Sequence, residues 1–167
     1  MSGRSKEWAK LPPDIQTLIE SQQKLAPIKL SEIARLLGIE VRSATLPMGI
    51  SGEIRPSVGN GKFTIKVNRH DDPKRQRFTV AHELAHFLLH REFIGNGLSD
   101  DVLYRSSLSD AKEAQANRLA ADIIMPMHLI QVIQTRAHLA GVEDIVLTLA
   151  EALNVSTIAM QIRIDRA

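Results

Sequence analysis

Apolar positions recur at helical spacing in the first part of the chain. Between Pro13 and Lys24, Ile15, Leu18 and Ile19 fall on one side of a helical repeat, which predicts a helix there. A second helix is expected over Leu30 to Leu37, opened by Ser31 as its cap and stopped by Gly38. From Ile39 the rhythm shifts towards extended chain. Val41 to Leu46, Ile50 to Arg55 and Phe63 to Val67 each read as a strand, with Gly59-Asn60-Gly61 as a hairpin-type turn between the last two. A small three-stranded, mainly antiparallel sheet is expected.

Asp71-Asp72-Pro73 marks a helix start, with an Asp cap and proline at the first helical position. Phe78, Ala81, Ala85 and Leu88 follow at the spacing of one buried stripe. After a Gly-, Ser- and Asp-containing connection from Gly95 to Asp101, Ser107 to Asp110 opens another helix. Its Ala116, Leu119, Ala120 and Ile123 face inward, and Pro126 closes it. Two or three further helices fill the remainder. The expected fold class is α+β. Residues 1–25 read as an N-terminal helical extension to a domain over 26–167, whose last part, about 127–167, is helical.

Composition narrows the chemistry. The 167 residues are enough for one ordinary core, and with aromatics at 4% it must be built from aliphatic side chains. There is no cysteine, which excludes disulfides, thiol catalysis and every cysteine-containing metal site. Any metal must be held by His and carboxylate. A net charge of +2 makes no case for nucleic acid, and no apolar run is long enough to cross a membrane. An unexported, cytoplasmic protein is expected.

His82-Glu83-Leu84-Ala85-His86 sits on the third expected helix. Residues four apart on a helix share a face, so both imidazoles reach one ion, while Glu83 can take a proton from attacking water. Such a pattern arises by accident in roughly one chain of this length in a few hundred. A catalytic zinc keeps three protein ligands and an open position, so a third must come from elsewhere. His90 lies about 12 Å beyond His82 along the axis and cannot share the ion on an unbroken helix. It is read as structural, as supporting the site from outside the ligand set, or as facing substrate.

Glu113 is the better third ligand, since a second packed helix can aim it at the metal. Asn117, one turn on, faces the same way and can accept the remaining N–H of a ligand histidine. Zinc suits this donor set best, with manganese or another divalent metal as alternatives. For oxyanion stabilisation Tyr104 leads over Arg105, His70 and His128, being the sole tyrosine and close before the Glu113 helix.

These residues resemble the ImmA/IrrE family of zincin-like metallopeptidases in two ordered blocks, Arg77 to His90 and Glu113 to Pro126, and again over Leu149 to Arg163. The resemblance spans roughly residues 27 to 163. It implies a gluzincin-type site with His82, His86 and Glu113 as ligands, Glu83 as general base and Asn117 in support. It also implies a protein substrate, a helix-turn-helix repressor whose cleavage switches on stress-response or mobile-element genes. Gln115 and Leu119 depart from the Glu and Phe usual in the family; neither is assigned to the metal.

Rival readings come from other classes. Leu30 to Val41 and Leu147 to Ile158 both read like helix-turn-helix fragments, which would make a DNA-binding regulator, yet neither offers a basic recognition helix. Direct nucleic-acid binding is not expected. A metal-dependent sensor, or a partner that sequesters a repressor without turnover, would keep the metal and discard the hydrolysis.

Overall fold

The computed structural model describes residues 3–95, 98–99 and 110–167. A short 3-10 turn at Trp8–Lys10 leads into α1 (Pro13–Ser21) and α2 (Leu30–Leu36). Strands β1 (Ile39–Ala44), β2 (Gly52–Pro56) and β3 (Phe63–Asn68) precede the long α3 (Pro73–Leu89). A two-residue β4 (Leu98–Ser99) follows, and then α4 (Asp110–Ile124), α5 (Met127–Leu139), α6 (Ile145–Leu153) and α7 (Thr157–Asp165). This is the mixed α+β organisation read from the sequence.

The expected strands form, but they pair with one correction. The order is β1-β3-β2-β4, so β4 adds a fourth strand at the edge beside β2. β2 and β3 make the anticipated hairpin, with Ile54 opposite Ile65 and the Ser57 N–H donating to the Lys62 carbonyl across the turn. β1, however, lies parallel to β3, with Val41 beside Ile65. Alternation identifies a strand without naming its partner. Here residues 45–51 carry the chain past β3 to the far side of the sheet, where β2 starts.

Helix ends also differ from expectation. Ser31 lies inside α2, which starts at Leu30 with Lys29 before it, while Gly38 stops the chain with φ +75°, a conformation favouring glycine. Asp72 occupies the cap position of α3, but its side chain makes no capping bond. Pro73 supplies the start signal instead, since its missing N–H would be unpaired there anyway.

α3 lies between the sheet and α4, and every residue from Thr79 to Phe87 is buried. Ile54 and Ile65 cover it from the sheet; Ala116, Leu119, Ala120 and Ile123 cover it from α4. Trp8, Leu11 and Ile19 join the same cluster. The N-terminal stretch is tied down by polar contacts as well. The buried Asp122 carboxylate accepts from the Ser5 backbone and hydroxyl and from Arg163, while Gln23 donates to the carbonyls of Asp122 and Ile123.

α6 and α7 meet at 110° across a short turn, within the range of a helix-turn-helix. The exposed side of α7 carries Thr157, Ile158, Gln161 and Ile162, while Arg163 is turned inward to Asp122 and the Met125 carbonyl. That face lacks the cations a DNA-reading helix uses. The earlier fragment at Leu30 to Val41 is not a helix pair at all, because α2 runs into β1. No single helix among the described residues is long and apolar enough to cross a membrane.

Candidate metal centre

Burying His82, Glu83 and His86 on α3, and His90 just past its end, is costly unless their polar atoms are partnered. α3 and α4 supply partners from each other. On the α3 side of this seam His82 Nε2 and His86 Nε2 lie 3.0 Å apart. The Glu113 carboxylate reaches them at 3.1 and 3.2 Å. The donor atoms of His82, His86 and Glu113 all fall within 4.8 Å of one another.

The outer ring nitrogens are engaged too. His82 Nδ1 sits 2.9 Å from Asn117 Oδ1. His86 Nδ1 sits 2.9 Å from His90 Nδ1, and His90 Nε2 lies 2.9 Å from Gln115 Oε1. Because the Asn117 oxygen only accepts, His82 carries its proton on Nδ1 and presents a bare Nε2. Burial would raise the Glu113 carboxyl, but hydrogen bonds and charge from the His82 and His86 rings, which act when those rings hold protons in place of a metal, outweigh that and keep it well below the usual carboxylate range. Burial also pushes the His90 imidazole down, which favours its neutral form. Electron-pair donors drawn together around a common point fit a cation, and their nitrogen and carboxylate chemistry fits a divalent metal.

The chain matches the family model of peptidase M78, the IrrE N-terminal-like domain, over residues 35–165. The chain belongs to this family. No curated protein matches it significantly. As a peptidase M78 domain it is a hydrolase of peptide bonds, and its matched span contains every residue of the cluster.

Each of the residues singled out in the sequence has a defined place, with two exceptions. His82, His86 and Glu113 converge, and Asn117 meets His82. Glu83 is buried on α3, with its Cγ within 3.6 Å of where a Cβ on Gly52 would stand, at the start of β2. Tyr104 and Arg105 lie outside the described residues. Of the other oxyanion candidates, His128 Nε2 is 2.7 Å from the Gln23 carbonyl and His70 is exposed. Sequence reasoning left His90 open and passed over Gln115. Their i, i+4 and cross-helix positions were visible, but not their mutual orientation.

A cleft of about 1130 Å³ opens beside the cluster. His82, Glu113 and Asn117 form one side, and Phe78, Ile158 and Ile162 contribute apolar wall. A second hollow, about 830 Å³ around Ala26 to Leu30, contains none of the site residues.

Proposed function

We propose that the chain is a zinc-dependent endopeptidase, with His82, His86 and Glu113 as metal ligands and Glu83 as general base. The observation carrying this reading is the convergence of the three donor groups at 3.0 to 3.2 Å. Donors bound tetrahedrally to zinc at about 2.0–2.1 Å stand roughly 3.3 Å apart, so little movement separates this arrangement from a loaded site.

Bound zinc would supply Lewis acidity, polarising the scissile carbonyl and acidifying the attacking water. The Glu83 carboxylate accepts a proton from that water and returns it to the nitrogen of the leaving amine. Its burial against Gly52 holds it beside the ligand helix face. Asn117 fixes the His82 ring. The cleft gives an extended polypeptide access to the Glu113 side of the centre, and its apolar wall suits hydrophobic side chains. On sequence grounds alone, Tyr104 is assigned as the oxyanion donor.

The protein substrate in this reading is a helix-turn-helix transcriptional repressor, cleaved in the cytoplasm during stress-response or mobile-element regulation. That step rests on the resemblance of the Arg77 to His90 and Glu113 to Pro126 blocks. The test is incubation of candidate repressors with zinc-loaded wild type and with Glu83→Gln. Cleavage by the wild type that falls at least 10³-fold in the variant, with zinc retained, supports the assignment. Equal cleavage by both removes Glu83 from its role.

A further inference from the structure

We infer that Gln115, acting through His90, sets the tautomer of His86 and thereby determines whether His86 can bind metal; this rests on the ligand assignment proposed above. The line is continuous. His86 Nδ1 meets His90 Nδ1 at 2.9 Å, and His90 Nε2 meets Gln115 Oε1 at 2.9 Å, both ordinary hydrogen-bond lengths.

A neutral imidazole has one N–H and one bare nitrogen, so each contact determines the next. Gln115 presents an oxygen, which can only accept; His90 therefore carries its proton on Nε2. Its Nδ1 is then bare and can only accept from His86. That places the His86 proton on Nδ1 and leaves Nε2, the atom facing His82 and Glu113, free to donate to a cation. The reverse arrangement is equally explicit. A proton on His90 Nδ1 would be donated to His86 Nδ1, forcing the His86 proton onto Nε2 and disabling it as a ligand.

The surroundings suit this role. His86 and His90 are 1% and 3% exposed, so water does not compete freely for their ring nitrogens. His82 reaches its orienting amide directly, whereas His86, deeper in the seam, reaches one through a second ring. Asn117 and Gln115 both come from α4, the helix that carries Glu113, so docking of α4 on α3 delivers a ligand and both orienting oxygens together. His90 and Gln115 are positioning residues; neither is assigned to the metal or to substrate.

The test combines zinc affinity, by competition with a chromophoric chelator, with nitrogen-15 NMR of the imidazole rings in the full-length, zinc-loaded protein. In wild type, His86 should be protonated at Nδ1 and His90 at Nε2. Gln115→Glu retains an acceptor and should bind zinc within about threefold of wild type. Gln115→Met, which removes the acceptor at a partly exposed position, should mix the His90 tautomers and weaken zinc binding about 10- to 100-fold. Its thermal stability in chelator should stay near wild type. Equal zinc affinity in Gln115→Met overturns the inference while leaving the ligand set standing. A His90 proton on Nδ1 in the zinc-loaded wild type overturns the inference and removes His86 from the ligand set. A wild type that takes up no zinc overturns both.

Discussion

The Nδ1 of His82 lies 2.9 Å from the side-chain oxygen of Asn117, one helical turn beyond Glu113. Glu113 and the oxygen that meets His82 thus arrive on one helix. Replacing Asn117 with Ala should leave the fold intact, since the residue is open to the cleft, yet weaken zinc binding about 10- to 100-fold. Chelator competition on the purified variant measures this directly. Asn117→Asp, which keeps the acceptor, should recover most of the affinity.

Much of this arrangement was legible in the chain. Helical spacing put His82 and His86 on one face, and the Ala116, Leu119, Ala120 and Ile123 stripe showed which side of the following helix faces inward, bringing Glu113 and Asn117 with it. Strand pairing was less accessible. Period-two alternation in Val41 to Leu46 is the same whether the partner is β2 or β3, so the parallel β1–β3 pairing depends on tertiary packing. The His90 to Gln115 contact was hidden for a related reason: it needs the rotation of α4 against α3, which spacing within either helix does not specify. Ser31 misled because a good cap residue was placed one position inside the helix it was expected to open.

Gly52 allows β2 to approach the active helix closely. A Cβ there would stand 2.3 Å from Thr79 Cγ2 and 3.2 Å from the Lys66 carbonyl oxygen. Gly52→Ala should therefore destabilise the protein by about 1–3 kcal/mol in denaturant unfolding, through overpacking. Because Glu83 lies beside the same spot, peptidase activity should fall further than stability accounts for. Adding Thr79→Ser removes the clashing methyl and should recover part of the stability.

Acid stability should depend on Glu7. This buried carboxylate accepts from Arg118 at 2.8 and 2.9 Å, and those bonds hold its pKa below the usual value. Its contribution is present above the unfolded pKa of about 4.3 and is lost as pH falls through the lower folded value. In Arg118→Met, stability near pH 7 should drop by about 1–2 kcal/mol, since Arg118 is 35% exposed and its bonds are partly screened. The gap from wild type should narrow progressively as pH falls below the unfolded value of about 4.3 in equilibrium unfolding.

Arg77 locks the helical C-terminal segment onto α3. Its guanidinium donates to the carbonyls of Ile28, Leu153 and Asn154, covering the C-terminal end of α6. Arg77→Met should leave those carbonyls without their donor and cost about 2–3 kcal/mol. Hydrogen exchange should show the loosening first in residues 145–165, with the zinc affinity of the α3–α4 seam changed less.

Metal content tests the central claim most directly. Elemental analysis of the purified chain, wild type beside Glu113→Ala, at neutral pH and without chelator, should find near-stoichiometric zinc in the wild type and little in the variant. A wild type that stays empty after a zinc challenge, or a Glu113→Ala variant that retains its full complement, would contradict a centre built from His82, His86 and Glu113.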